Sequence, residues 1–394
     1  MLEKLEVSAK AKNQLAVPAW SGEARLDKLF EGIDPIIASI LEKALSGKDL
    51  DVKEGAELLN AKGPELKLLV LTANELRRQT VGDIVTYVVN RNVNFTNVCL
   101  GGCKFCAFRR SIEDDDAYLL TLEQIKAKVR EAIEFGATEV CVQGGLHPRF
   151  GLDEYVAILR AVRDVSLSVH IHAFSPAELD HISRRGGVSI EEVIKTLLEA
   201  GLNSVPGTAA EILVDRVRNI ICPKKISVRR WVEIITTCHL LGLPTTATML
   251  YGTVETPLER AQHLALIRDI QRRTQGFTEF VPLAFMPFNT PLCHEGLATS
   301  RPSIIDSLCM HAVARLMLAG YIDNVQASWV KLGPRGAQLM LNAGANDLGG
   351  TLLEENITRA AGGKNQAMLP KQLESLILEL GRVPKQRTTT YGLI

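Results

Sequence analysis

Little in this sequence points to a membrane or a nucleic acid. Lys+Arg and Asp+Glu both total 45, so no net charge is left over to hold a polyanion. No apolar run approaches the roughly 20 residues that a membrane-spanning helix needs. The opening Met1-Leu-Glu-Lys-Leu-Glu-Val lacks the apolar core of a secretory signal. The expectation is a soluble, cytoplasmic chain with neither nucleic acid nor membrane as partner. Internal repeats and low-complexity tracts are also missing. Five of the cysteines (Cys141, Cys222, Cys238, Cys293 and Cys309) show no ligand spacing, and in a reducing compartment they are expected as small buried hydrophobes.

The other three cysteines stand together in Asn92-Val-Asn-Phe-Thr-Asn-Val-Cys99-Leu-Gly-Gly-Cys103-Lys-Phe-Cys106-Ala-Phe108, directly after the β-rich run Val93–Val98. The spacing C-x3-C-x2-C lets three thiolates of one loop hold three irons of a 4Fe–4S cluster. The fourth iron then has no protein ligand and can chelate a small molecule. Gly101 and Gly102 let the backbone wrap closely around such a cluster. Phe105 lies where an aromatic ring can pack on an adenine. The same thiolates also suit a structural zinc, which would want a fourth protein ligand and usually two spaced pairs; no second C-x2-C pair occurs.

With 394 residues, one large α/β barrel plus an extra segment fits as well as two domains. Residues 1 to about 25 show no periodicity and read as a mobile arm. From Leu26 to about Asn90 the pattern is helical: a first helix through Ile36, Ile40 and Leu45, a second capped by Asp51, a third from about Glu65 to Thr80, and residues 81–90 as a continuation. Strands and helices then alternate. Expected strands are Val93–Val98, Thr138–Gln143, Ser168–Phe174, Asn203–Pro206, Thr245–Leu250, Phe277–Phe285, Asn324–Trp329 and a short one near Ala345–Leu348. Expected helices are Leu122–Phe135, Asp153–Val165, Ser189–Ala200 with a Ser189/Glu192 capping box, Arg229–Leu241, Pro257–Arg272, Ile304–Ala319, Pro334–Asn342 and Gln372–Leu380. Parallel strands need crossovers of this length, and the regular repeat favours a (β/α) barrel over an open doubly wound sheet. The expected division is 1–90 as arm and helical segment, 91–350 as barrel, and 351–394 as a C-terminal extension folded back on the barrel.

In such a barrel the chemistry sits at the C-terminal strand ends. The second strand ends in Gln143-Gly144-Gly145, where paired glycines expose backbone to a ligand or serve only a tight turn. The third carries His170 and His172 on one face, facing either a ligand in the lumen or satisfied within the core. Ser175 and Glu178 follow, suited to contacting a ribose or an amine, or to a helix N-cap with a first-turn acid. Glu211 follows the fourth strand as a ligand contact or a solvated acid. Asn346 and Asp347, placed at the end of the last strand, have the donor and acceptor pattern to read a pyrimidine edge. No residue is given a catalytic role.

The cysteine motif with Phe105 resembles the S-adenosylmethionine (SAM) radical superfamily. That resemblance implies a radical SAM barrel, a 4Fe–4S cluster on Cys99, Cys103 and Cys106, and SAM chelated by the open iron. In that superfamily one electron from the reduced cluster cleaves SAM to methionine and a 5′-deoxyadenosyl radical, and the resemblance implies the same chemistry here. It also implies SAM contacts from Gln143, Gly144 and Gly145; Phe105 is placed for the adenine of SAM, and Ser175, Glu178 and Glu211, by their position at the barrel mouth, are candidates for contacting SAM or a substrate. Further stretches, among them Gln143-Gly-Gly-Leu-His-Pro148, Val205-Pro-Gly-Thr-Ala-Ala-Glu211 and Asn346-Asp-Leu-Gly-Gly-Thr351, resemble a subgroup holding the two deazaflavin (FO) synthase subunits and two menaquinone enzymes of the futalosine route. The chain is most similar to the second FO synthase subunit family, the tyrosine 4-hydroxybenzyl transferases. The resemblance implies L-tyrosine and 5-amino-6-(D-ribitylamino)uracil as substrates; His170, His172, Asn346 and Asp347, picked out by their place in the barrel and not by the resemblance, are the candidate contacts. It also implies the first FO synthase subunit and a reductant protein as partners. A futalosine-route enzyme and a non-catalytic metal-binding protein are the alternatives. Asp180-His-Ile-Ser-Arg-Arg-Gly-Gly187 departs from the family pattern, where a shorter loop with a tyrosine is expected.

Overall fold

The computed structural model describes residues 32–363 and 367–394. The arm expected over residues 1 to about 25 lies outside the described residues. Three helices lead in. Pro35–Leu45 starts on Asp34, whose side chain accepts from the Ile36 amide, and buries Ile37, Ile40, Leu41 and Ala44 on one stripe. Val52–Leu59 opens with a reciprocal Asp51/Glu54 capping box. Gly63–Val81 ends at Gly82 with φ +64°.

The fourth helix expected over residues 81–90 is not formed. Ile84-Val-Thr-Tyr-Val88 is β-branched and aromatic, and it makes strand β1. Strand β2, Asn90–Asn94, continues in the same line. The barrel therefore begins at Ile84, inside the segment assigned to the helical lead-in. The strand expected at Val93–Val98 ends at Asn94, and the next residues already form the cysteine loop.

The first stave, β1 plus β2, pairs in parallel with β3, Glu139–Gln143, which pairs with β4, His170–Ala173. The fourth stave is only a bridge pair, His172 to Ser204 and Val205 to Thr245. Strands β5, Thr245–Tyr251, and β6, Phe277–Ala284, follow. The seventh stave is again two bridges, Phe280 to Val325 and Gln326 to Asp347. Strand β7, Asp347–Gly350, closes the ring on β1 through Thr86↔Asp347 and Val88↔Gly350. The result is a closed parallel barrel of eight staves, two of them shorter than the strands expected at Asn203–Pro206 and Asn324–Trp329. The last strand lies two residues beyond its expected start.

Helices fill the crossovers, with small displacements from expectation. Trp329–Leu341 starts five residues early and bends at Gly333, before Pro334. Ser189 caps Ile190–Glu199 by accepting from the Glu192 amide, without the reciprocal half of the expected box. Asp180–Gly186 is helical, part of Pro176–Gly186, which Gly187 ends in the left-handed region. Asp180 there binds both Arg184 and Arg230, so this stretch builds the outer wall.

The C-terminal segment folds back. Helix Pro370–Leu378 leads to strand β8, Val383–Gln386, which pairs with β1 over Ile84–Tyr87 at the N-terminal end of the barrel. The next residue, Arg387, is buried among lumen-facing acids. The floor of the barrel is thus closed by the end of the chain, and the opposite end is left for ligands.

Candidate active site

Cys99, Cys103 and Cys106 lie on one loop at the open end and share a cavity of about 280 Å³. The loop is pinned to the turn after β3, where the Leu100 amide donates to the Leu146 carbonyl and the Gly145 amide to the Thr96 carbonyl, and to the end of the helix Asp215–Ile221, where the Lys104 amide donates to the Ile221 carbonyl. Cys99 Sγ accepts from the Gly101 and Leu146 amides, both at 3.3 Å. Burial pushes the Cys103 thiol up to about 12 and raises Cys106 as well. Cys103 and Cys106 thus sit where a bare thiolate is disfavoured and a thiolate neutralised by metal is favoured. Among the described residues, no three His, Cys, Asp or Glu side chains are grouped to hold a single metal ion. A structural zinc needs four such ligands converging on one point; a four-iron cluster spreads its thiolates around a wider body.

The residues fit a bulky polar ligand beside that cluster. A Cβ on Gly144 would lie 2.5 Å from the Phe95 ring, and one on Gly145 would lie 2.2 Å from the Val98 carbonyl oxygen. Only glycine permits this close turn. One buried acceptor along the cavity, Asn94 Oδ1, has no hydrogen-bond partner among the described residues, whereas Glu211 Oε2, which also makes no hydrogen bond, lies 3.5 Å from the Arg218 guanidinium. An orphaned acceptor such as Asn94 Oδ1 is suited to a hydroxyl or amine donor of a ligand.

The sequence candidates fall into place unevenly. Phe105, Gln143, Gly144, Gly145, Ser175, Glu178 and Glu211 all line this cavity. Ser175 and Glu178 also form a reciprocal capping box for their helix. Glu178 is buried, accepts from the Ser175 amide at 2.6 Å and the Gly144 amide at 3.1 Å, and is held up to about 7 by that burial. The capping reading is therefore realised, and the same carboxylate fixes the glycine turn. Gln143 Nε2 donates to Thr208 Oγ1 at 2.8 Å. Glu211 Oε1 accepts from Lys225 Nζ at 2.7 Å, and that ammonium lies 5.3 Å from the Phe105 ring centroid. Lys225 escaped the sequence reading because a pair of lysines in a loop, Lys224-Lys225, carries no pattern.

A second cavity of about 260 Å³ fills the lumen below and shares Asn94, Gln143, Thr208, Thr248 and Lys331 with the first. Its wall includes Asn90, Asn92, Glu139, His172, Glu279 and Arg387. His172 lines it, whereas His170, lower on the strand, lines neither cavity. Both rings meet one hydroxyl: His170 Nε2 is 2.7 Å and His172 Nδ1 is 2.6 Å from Ser204 Oγ. That hydroxyl has one proton to give, so it donates to one ring and accepts from the other. Burial lowers the pKa of both.

Asn346 and Asp347 are not at the mouth. β7 starts at Asp347, so both sit at its N-terminal end, on the floor. Asn346 Oδ1 accepts from Arg315 and from the Val325 amide, and its Nδ2 donates to Asn324. Asp347 accepts from Thr86, the Gly349 amide and Arg387. Their polar atoms are consumed by the protein and neither lines a cavity, so the expected pyrimidine reading by this pair is corrected. Of the cysteines outside the loop, Cys222, Cys238 and Cys309 are buried as expected; Cys141 and Cys293 are only partly so, and Cys141 lines the lumen.

Comparison with known proteins decides the family. The Radical SAM superfamily pattern matches residues 93–267, and the CofH/MqnC C-terminal region matches residues 274–394. The chain is 53% identical over 323 residues to the 5-amino-6-(D-ribitylamino)uracil–L-tyrosine 4-hydroxyphenyl transferase of Archaeoglobus fulgidus, covering 82% of this chain and 92% of that one. This chain belongs to the 5-amino-6-(D-ribitylamino)uracil–L-tyrosine 4-hydroxyphenyl transferase family. The transferase of Methanocaldococcus jannaschii is 47% identical over 88% of this chain and 98% of its own. The FO synthase of Mycobacterium leprae is 49% identical over 85% of this chain, but only 39% of that longer protein is matched. The fold is shared with HydG, a maturase of the FeFe-hydrogenase (TM-score 0.73, 17% identity, 94% of this chain and 80% of that one). It is shared also with methylornithine synthase, PylB (TM-score 0.67, 20% identity, 88% and 97%). As a member of the transferase family the chain is a radical SAM enzyme, and the cofactors of the superfamily are a 4Fe–4S cluster and SAM. Among the described residues no helix is long and apolar enough to cross a membrane.

Proposed function

We propose that this chain moves the 4-hydroxybenzyl group of L-tyrosine onto 5-amino-6-(D-ribitylamino)uracil, a step toward the deazaflavin FO and coenzyme F-420. The observation that carries the reading is a cysteine-lined cavity continuous with a polar lumen, in a chain about half identical to transferases of that name. Cys99, Cys103 and Cys106 would hold the cluster. Phe105, Gly144, Gly145, Glu178 and Glu211 would surround SAM. When bound, these cofactors supply a 5′-deoxyadenosyl radical.

The chain's own part is placement. The lumen offers amides from Asn90, Asn92 and Gln326 and carboxylates from Glu139 and Glu279. That mixture of donors and acceptors suits the carbonyl and N–H edges of a uracil and the hydroxyls of a ribityl chain. Gln143, held by Thr208 at the boundary, orients whatever spans the two cavities. The closed floor keeps water out from below, so two substrates can be held in contact.

The partial match to the Mycobacterium leprae protein supports work alongside a separate first FO synthase subunit. A reductant protein completes the set, and the setting is the cytoplasm. The lead-in to about residue 83, the barrel to about 350 and the extension beyond act as one unit, since the extension supplies the floor.

The test is an anaerobic incubation of iron-reconstituted protein with SAM, dithionite, tyrosine and the aminouracil, read by mass spectrometry. A tyrosine-dependent uracil adduct formed alongside 5′-deoxyadenosine supports the transferase. Deoxyadenosine with no adduct overturns it.

A further inference from the structure

Five cationic side chains line the two cavities, and four are accounted for. Arg387 is bound bidentately by Asp347, and Lys225 by Glu211. Arg109 and Lys224 are exposed to solvent. Lys331 differs from all of these. It keeps some exposed surface, and it lines both cavities. Its Nζ donates to one neutral partner, Thr358 Oγ1, at 2.8 Å. Glu355, which also lines the lumen, is near enough to interact with it electrostatically. That carboxylate is engaged elsewhere, by Asn92 Nδ2 at 2.7 Å and the Thr358 amide at 2.9 Å. Among the described residues no acid forms an ion pair with Lys331. A half-buried ammonium with no paired acid leaves its charge free for a ligand, and an anionic group entering the cavities makes a charge-assisted hydrogen bond with it.

We propose that Lys331 binds the carboxylate of the amino-acid substrate where the two cavities meet. The inference rests on the tyrosine reading above and goes beyond it by naming the residue that selects an α-amino acid. The aminouracil carries no carboxylate. Two ligand carboxylates are available, those of tyrosine and SAM. On the cofactor side Lys224 and Arg109 also offer positive charge. In the lumen the only other cation among the described residues, Arg387, is already saturated by Asp347. A zwitterion reaching into the lumen therefore finds one unspent positive charge, Lys331.

The test is equilibrium dialysis with iron-reconstituted protein and SAM, without reductant so that nothing turns over. Tyrosine, tyramine and tyrosine methyl ester are the probes. Wild-type protein should prefer tyrosine to both by about tenfold or more, the usual scale for a charge-assisted hydrogen bond in a sheltered site. Lys331→Met should weaken tyrosine by a similar factor and leave tyramine and SAM affinities unchanged; Lys331→Arg should keep part of the preference. Equal losses for tyrosine and tyramine would mean a packing role and overturn the proposal. Loss of SAM affinity alone would place the lysine on the cofactor and overturn it too. A wild-type protein that binds tyrosine no better than its ester refutes the inference even if the variants fail to fold. A wild-type protein that binds neither refutes the tyrosine reading itself.

Discussion

Arg387 grips Asp347 from near the far end of the chain, Nε to Oδ2 at 2.5 Å and Nη2 to Oδ1 at 3.1 Å, with both side chains sealed from solvent. Glu279 and Tyr391 complete the cluster: Tyr391 Oη donates to Glu279 at 2.6 Å, and the guanidinium lies 4.0 Å from the tyrosine ring centroid. This contact fastens β8 and the tail to β7 and makes the floor of the lumen.

Arg387→Met should therefore destabilise the protein strongly, by about 3–5 kcal/mol, because a buried carboxylate loses its counterion. Urea unfolding of the metal-free chain measures this. Arg335→Met, which breaks a solvent-exposed pair with Glu379, should leave the midpoint in place. Equal effects of the two would show that the floor is not a strong point of the fold.

Gly145→Ala should abolish cluster assembly. The added carbon meets backbone, the Val98 carbonyl, which cannot swing aside, and the cysteine loop must shift with it. Gly151→Ala is the control, since its nearest neighbour there is a flexible Glu154 carboxylate at 3.7 Å. Iron content per chain after reconstitution should fall in the first variant and not in the second. Full iron loading of Gly145→Ala would contradict the close packing of the two turns.

Cys99→Ala should lose both the iron cluster and formation of 5′-deoxyadenosine, because three irons then have two thiolates. Cys238→Ala, a buried cysteine in the helix Val228–Leu240, should keep both, with at most a modest loss of stability. The absorbance of the reconstituted proteins and their iron content read the difference. A Cys99→Ala protein with a full cluster would contradict the ligand assignment.

Acid should destabilise the metal-free protein. Burial pushes His239 and His311 down to about 4 and His263 to about 3, and it lowers His170 and His172 too. A base whose folded pKa lies below its unfolded value takes up protons on unfolding, so its contribution is full above about pH 6.5 and fades as pH falls toward 4. Glu178, raised to about 7, and Glu279, also raised by burial, act in the opposite sense between about pH 4.5 and 7. Five histidines outnumber two carboxyls, so the urea midpoint should be lower at pH 5 than at pH 7.5. An unchanged or higher midpoint at pH 5 would contradict the buried, neutral histidines.

Local chemistry was legible in the sequence. The cysteine spacing, the Gln143-Gly-Gly turn and the helix caps at Asp51 and Ser175 depend on residues within a few positions of each other, and all appear where they were read. Long-range pairing was not legible. The fourth and seventh staves are each no more than two bridges held by their neighbours, and β8 exists only because β1 offers it an edge. Asn346 and Asp347 were misplaced because a two-residue error in where β7 begins moves them from the mouth to the floor. Lys225 and Lys331 stand in no motif; their meaning comes from the acid that one has and the other lacks.

The central claim is that this chain breaks the Cα–Cβ bond of tyrosine and passes the aromatic fragment to the pyrimidine. The most direct measurement follows two carbons. Tyrosine labelled with carbon-13 at Cβ, and separately at Cα, is turned over anaerobically with SAM, reductant and 5-amino-6-(D-ribitylamino)uracil. The Cβ label should appear in the uracil adduct, and the Cα label in the small two-carbon fragment recovered as glyoxylate. Both labels in one product, or neither in a uracil adduct, would contradict the account.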